Sequence, residues 1–476
     1  MINNTAHRLC GFAAMAGMLV LAGCSNMAMQ PDQSAAKIQT SWVVLGEQGQ
    51  AIARAVTTDT VCPVLTQDGV AQTMSLRAPA ETIALRKTGS TPEQSKPSAF
   101  PVLTCEAPIK PDTKAANIAG RILALPKNVA QKIIVFGDTG CRLKTNDDYF
   151  QSCNDSEKWA FRQMVEMAAT FKPDLVVHVG DYHYRENACP EGNKECAGSP
   201  WGYGWDTWQA DFFNPAATLL KSAPWVMVRG NHESCTRAGQ GWWRLLDPRP
   251  LQKGRDCNLE QDDLRGDYSE PYAVPLGKMG SEQAQLIIFD SAKVPNKVLA
   301  KTDAAYAIYM DQFKTVNRMT EAADFNLFLD HHPVLGFAAE LKKGEKMKIW
   351  PGNLALQDVM QSLNGTRLFP AKVQATLAGH VHIFEALTFS SGQPTQFVTG
   401  NGGSSLDIPL PTPIAADLTP YTGARVDHFS NSNSVGFTTL EREANGWKVQ
   451  AWDKNGKLIT KCMMQNQKTD CKAMTP

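Results

Sequence analysis

Ile133-Ile134-Val135-Phe136-Gly137-Asp138-Thr139-Gly140 decides the fold. Its first four residues are β-branched or aromatic with no polar alternation, the pattern of a strand covered on both faces. The run then breaks at a glycine and delivers a carboxylate. The same grammar recurs: Leu175-Val176-Val177-His178-Val179 runs into Gly180-Asp181-Tyr182-His183-Tyr184, and Trp225-Val226-Met227-Val228 into Gly230-Asn231-His232-Glu233. Between the first two runs, Phe161, Met164, Val165 and Ala168 fall at i, i+3, i+4 and i+7. That spacing predicts a helix, capped by Ser156 and stopped before Pro173. Strand, helix, strand, helix, strand is the βαβ alternation of an α/β sheet. Further buried runs at 285–289, 326–329, 373–377 and 396–399 extend it, and two of them end in Asp330-His331-His332-Pro333 and Gly379-His380-Val381-His382.

In open α/β sheets the carboxyl ends of the strands form the crevice where ligands sit, so five strand ends bring polar side chains to one place. Seven of the nine histidines (His178, His183, His232, His331, His332, His380 and His382) lie in or beside them. One histidine after a strand is ordinarily a satisfied structural residue, but five coincident ends carry a different implication. Oxygen and imidazole donors without thiolate suit Zn, Mn or Fe, and this many donors suit two ions. A pair of ions about 3.5–4 Å apart clamps phosphoryl oxygens and activates water at neutral pH, which is the chemistry of phosphoester hydrolysis.

The ordered blocks GDTG, GDYHY, GNHE, a strand-end histidine and GHVH resemble those of the calcineurin-like metallophosphoesterases, and in detail the purple acid phosphatase branch. Gly400-Asn401-Gly402-Gly403 is similar to the glycine-rich turn that follows in that family. The resemblance implies an α/β fold, an αββα sandwich, preceded by a small all-β, sandwich-like domain. It implies that Asp138, Asp181, Tyr184 and His382 hold one metal, Fe(III). Asp181 bridges to a second ion, Fe, Zn or Mn, held also by Asn231, His331 and His380. Most of the wider superfamily has a histidine two residues after the first aspartate; Gly140 stands there, and Tyr184 supplies the donor instead. A packing role for Tyr184 on the crevice wall is the alternative. His331 is taken over His332 because the family's ligand follows the strand directly, two before a proline; His332 becomes a rim residue within reach of phosphate. The implied mechanism is in-line attack by a metal-bound hydroxide, with His232 as general acid. Glu233 either orients His232 or pairs with a surface cation.

The start of the chain suggests export. Leu9 to Gly23 is an uncharged apolar stretch of fifteen residues after Arg8, shorter than the ~20 needed to span a membrane. It ends in Leu21-Ala22-Gly23-Cys24, which resembles the lipobox of bacterial lipoproteins and implies a lipid anchor at Cys24 in the cell envelope, outer membrane or cell surface. A plain secretory signal is the alternative. The reading divides the chain into a signal peptide (1–23), an N-terminal β module (24–126) and the catalytic domain (127–476). Of twelve cysteines, ten remain in the exported chain, an even number suited to disulfides. Sequence alone leaves connectivity open, but successive neighbours favour Cys62–Cys105, Cys141–Cys153, Cys189–Cys196, Cys235–Cys257 and Cys462–Cys471.

Composition excludes other classes. The 476 residues carry 47 Lys+Arg against 47 Asp+Glu, so there is no electrostatic footprint for nucleic acid. G-x-S-x-G, H-E-x-x-H and P-loop motifs are missing. The aromatic run Trp201 to Trp208 reads as packing, Arg54 and Arg77 as solvated, and 403–433 as a long structureless stretch. Residues 187–200 edge the cleft. The C-terminus reads as antiparallel hairpins around Asn455-Gly456. The blocks specify a small phosphorylated substrate, and phosphomonoesters are the leading reading. A phosphodiesterase or nucleotidase would use the same centre, and a non-catalytic binding lipoprotein with a vestigial site is the reading from another class.

Overall fold

The computed structural model describes residues 37–474 apart from 343, 445, 466 and 467; the expected signal peptide and Cys24 lie outside the described residues. Two sheets face each other. The first has eleven strands, in the order Lys468–Ala473, Leu458–Gln465, Gly446–Asp453, Gly436–Glu443, Lys132–Phe136, Leu175–His178, Trp225–Met227, Ile38–Leu45, Ala51–Thr57, Leu103–Pro108 and Ser75–Ala78. The second has seven: Tyr272–Met279, Glu282–Ile288, Phe325–Leu329, Val373–Ala378, Thr395–Thr399, Phe384–Phe389 and Val426–Ser432.

Side-chain alternation explains the layers. In Lys132–Phe136, Ile133 and Val135 enter the core between the sheets, where they join Leu286, Leu327 and Leu377 of the second sheet. Ile134 and Phe136 point the other way, onto Phe161, Met164, Val165 and Ala168 of the helix Phe161–Ala169. On the outer face of the second sheet, Ile287 and Phe328 meet the helices Ala304–Met319 and Leu354–Asn364 through Phe313, Leu356 and Val359. The result is helices outside, two sheets inside.

The helix begins at Phe161, not near Ser156, and no side chain caps it. The preceding residues are instead spent on turns: Asp155 Oδ1 accepts the Glu157 amide at 2.9 Å, and Trp159 Nε1 donates to the Thr139 carbonyl at 2.9 Å. The stretch expected to lack structure is irregular only as far as Arg425; Val426–Ser432 is an edge strand paired with Phe384–Phe389. Its polar, half-exposed sequence hid it. The C-terminal hairpins form and extend beyond Thr460 to Ala473. All five expected disulfides are present, which places the chain in an oxidising compartment. Among the described residues no helix is long and apolar enough to cross a membrane.

The N-terminal region is all-β. Four of its strands continue the first sheet, through a parallel pairing of Val44 with Trp225. A four-stranded sheet packs on these through Leu65 and Ile118 against Ala53, Ala55 and Cys105, and Cys62–Cys105 staples it. Arg54 and Arg77 are not solvated: they are 0% and 7% exposed. The short helical turn Trp242–Leu246 leaves carbonyls without partners at its end. Arg54 donates to Leu245 and Asp247 at 2.8 and 3.0 Å, and Arg77 to Trp243, Arg244, Asp247 and Arg249 at 2.6–3.0 Å. Both guanidiniums share Glu106 Oε2, at 2.8 and 2.9 Å. Burial and the Arg77 charge already push Arg54 down to about 9. Glu106→Ala would leave two adjacent cations unbalanced, and a loss of about 3–5 kcal/mol is expected, read from the denaturant midpoint with the disulfides intact. A loss below about 1 kcal/mol would mean that the carbonyls alone hold the pair.

Candidate metal centre

The strand ends meet at one rim. Lys132–Phe136, Leu175–His178 and Trp225–Met227 are parallel neighbours and deliver Asp138, then Asp181 and Tyr184, then Asn231 and His232. From the facing sheet, Phe325–Leu329 and Val373–Ala378, also parallel neighbours, deliver His331, then His380 and His382. Asp138, Asp181 and His380 sit in the left-handed region at φ of 58°, 59° and 69°. Such strain persists only where the surroundings over-determine it, and it clusters at functional sites. The flanking glycines permit close approach: a Cβ at Gly230 would lie 2.1 Å from Asp181 Oδ1.

Two donor sets result, joined at one oxygen. Tyr184 Oη lies 3.0 Å from Asp138 Oδ1, 2.9 Å from Asp181 Oδ2 and 2.8 Å from His382 Nε2. His331 Nε2 lies 3.2 Å from the same Asp181 Oδ2 and 2.9 Å from Asn231 Oδ1, which is 3.1 Å from His380 Nδ1. The single donor atoms of Asp181, His331 and His380 fall within 4.8 Å of one another, an arrangement that could hold an ion. Outer contacts fix the imidazoles: His331 Nδ1 donates to the Val179 carbonyl at 2.9 Å, and His382 Nδ1 to that of Ser405 at 2.5 Å. Both Nε2 lone pairs are thereby turned inward, as in metal-ligating histidines.

Electrostatics agree with this fit. Burial opposes ionisation of Asp181, but His331 and His232 overcome it and hold the carboxylate well below its usual range. Against burial, Asp181 pushes His331 up to about 10 and Asp138 pushes His382 up to about 9. Burial and then the carboxylates of Asp138 and Asp181 drive the Tyr184 phenol well above its ordinary value. Without ions, then, protons on the imidazoles balance the carboxylates. Ions held by these residues would take the place of those protons.

His232 is buried, and its ring lies 3.9 Å from that of Tyr184. Nδ1 is 3.0 Å from both the His183 carbonyl and Glu186 Oε1, and Nε2 is 3.8 Å from Asp181 Oδ2. Burial and the Arg237 guanidinium push the imidazole down to about 4, while Asp181 and Glu186 pull the other way. Glu233 neither orients this ring nor reaches a surface cation. Fully buried, its carboxylate accepts main-chain N–H groups of Asp181, Tyr182 and Gly230 at 2.9–3.0 Å, so it shapes the turn that carries Asp181.

Sequence reasoning missed three residues. Glu186 contacts His232, Arg237, Lys144 and the Tyr203 hydroxyl, and its position two after Tyr184 was the available signal. Arg237 lies against both nitrogens of His232 and had no signal. Asp211, one of two carboxylates in an aromatic run, accepts the amides of Cys141 and Tyr184 at 3.0 and 2.8 Å. Asp211 also explains Gly140, whose Cβ would lie 2.8 Å from both Asp211 Oδ2 and Tyr184 N. His332 stands beside the centre, its ring 4.2 Å from that of His380 and its Nδ1 3.2 Å from Ser291 Oγ. His178 is a fully buried structural residue bonded to Thr139 Oγ1 at 3.0 Å. Trp205 and Trp208 pack in the core.

Residues 131–384, more than half of the chain, match the calcineurin-like phosphoesterase family. The chain belongs to that family and is a hydrolase of phosphoric esters; the family implies a pair of metal ions. No curated protein sequence matches it. A purple acid phosphatase from yellow lupin (Lupinus luteus) seeds shares its fold with TM-score 0.50 at 14% identity, over 88% of this chain and 72% of that one. PhoD aligns with TM-score 0.46 at 9% identity, over 93% and 92%. GAP50, the anchor in the inner membrane complex of Plasmodium, aligns with TM-score 0.42 at 12% identity, over 71% and 89%.

Proposed function

We propose that the chain is an exported phosphatase that hydrolyses phosphomonoesters at a two-metal centre. The observation that carries the reading is the pair of oxygen and nitrogen donor sets sharing Asp181 Oδ2. Asp138, Asp181, Tyr184 and His382 would hold one ion, and Asp181, Asn231, His331 and His380 the other. A phenolate favours Fe(III) in the first set; Fe, Zn or Mn suits the second. A bound pair of ions clamps phosphoryl oxygens and activates water. The chain's own part is proton delivery. His232, held by Glu186 at Nδ1, would protonate the departing alkoxide from Nε2, which leaves poorly otherwise; this takes the imidazolium, the form that Asp181 and Glu186 favour and that burial and Arg237 oppose. The donor set argues against a vestigial binding protein, since no ligand position has lost its side chain. A phosphodiesterase or nucleotidase would use the same residues, and competing mono- and diester substrates separate the two. The lipobox-like Leu21-Ala22-Gly23-Cys24 supports attachment to the cell envelope by a lipid at Cys24, ahead of an all-β module (24–126) and the catalytic domain (127–476).

The test is purification with native metals, recording metal content, visible absorption and phosphate release, repeated with Tyr184→Phe. The wild type is expected to be coloured and to contain iron, and the colour to fade in the variant. A colourless, iron-free, fully active wild type would remove the tyrosinate assignment and leave the hydrolase standing.

A further inference from the structure

A cavity of about 360 Å³ opens beside the second donor set, lined by His380 of that set and by the neighbouring His332. Its volume is near the low end of the ~300–1,000 Å³ typical of small-molecule sites. The remaining walls are mainly apolar, with Phe337, Trp350, Leu354 and Val381 contributing, and among the described residues no Asp, Glu, Lys or Arg lines it. Trp350 is 54% exposed, an unusual position for the largest apolar side chain. It ends the hairpin of Ala338–Glu340 and Lys348–Trp350, whose strands pair Ala338 with Trp350. The walls are pinned at both roots. The Phe337 amide donates to buried Glu385 at 3.0 Å, and Asn353 caps the helix Leu354–Asn364 by accepting the Leu356 amide at 3.0 Å. The cavity is therefore preformed, which lowers the entropic cost of filling it.

Resting on the phosphatase reading, we infer that this cavity receives the organic group of the substrate, and that the enzyme prefers phosphomonoesters whose alcohol carries an uncharged aromatic ring, stacked on Trp350. An uncharged lining offers no partner to a sugar acid, a choline or a second phosphate, whereas a flat ring gains stacking as well as burial. In the reaction water cleaves the P–O bond, phosphate stays at the donor sets, and the aromatic alcohol leaves from the cavity with the proton.

The full-length, metal-loaded enzyme is assayed on 2-phenylethyl phosphate and ethyl phosphate, which both release alkoxides of similar basicity. Calorimetry with 2-phenylethylphosphonate and ethylphosphonate gives binding without turnover. The phenylethyl ester is expected to be favoured about tenfold in kcat/KM, mainly through KM, and the phenylethyl phosphonate about tenfold in Kd, or ~1.4 kcal/mol. Trp350→Ala should bring both ratios toward one, and Trp350→Phe should keep most of them. Equal hydrolysis of both esters with equal phosphonate affinity, or ratios untouched in Trp350→Ala, would overturn the cavity assignment alone. Hydrolysis of neither ester would overturn the phosphatase reading together with it.

Discussion

The His232→Ala enzyme is expected to release phosphate from alkyl monoesters about 10²–10⁴-fold more slowly than wild type. The geometry isolates this effect. The link from His232 to Asp181 Oδ1 runs through the main-chain amide, at 2.8 Å, and survives loss of the ring. No atom of the imidazole is needed to complete either donor set. What disappears is a positioned proton, the contacts with Glu186 and Arg237, and the ring packed against Tyr184. The deficit should therefore depend on the leaving group, large for an alkoxide and shrinking toward the lower end for a nitrophenolate that departs without help. Steady-state kinetics across a series of esters reads this directly. A uniform loss across the series would assign His232 to holding the phosphoryl group rather than to protonating the alcohol.

Asp181→Asn should cut turnover by at least about 10³-fold, at or above the upper range for removal of a single electrostatic contact in an active site. The amide keeps the size of the side chain but removes the negative charge shared by the two donor sets. Tyr184 would lose one of its two carboxylate partners, and His331 its nearest carboxylate. Metal analysis should show content falling from two ions per chain to one or none, with the far-ultraviolet circular dichroism preserved. Retention of both ions with activity within tenfold of wild type would show that Asp181 is not the shared ligand.

Much of the layout could be read from the residues because the strands that end in a donor are covered on both faces and so are largely apolar, with few buried polar residues such as Asn326 and Thr376 among them. Ile133 to Phe136 and Phe325 to Leu329 have no other stable environment than the middle of a layered α/β fold. The disulfides were readable for a similar local reason: taken in order along the exported chain, the ten cysteines pair successively, first with second, third with fourth and so on. What escaped was non-local. Arg54 and Arg77 are buried because the carbonyls of residues 243–249, far along the chain, need donors and Glu106 balances their charge. Glu233 stands next to His232 in sequence, yet main-chain amides capture it, while Glu186 reaches the ring from another strand end. The strand Val426–Ser432 lay hidden because an edge position tolerates a polar sequence.

The continuity of the eleven-stranded sheet bears on any attempt to trim the protein. Cutting the chain back to the family-matched segment would strip Ile38–Leu45 from the side of Trp225–Met227. The strand that feeds Asn231 and His232 into the centre would then present bare amides and carbonyls to other molecules, an invitation to edge-to-edge polymerisation. The 37–130 region thus works as a shield for the catalytic strands.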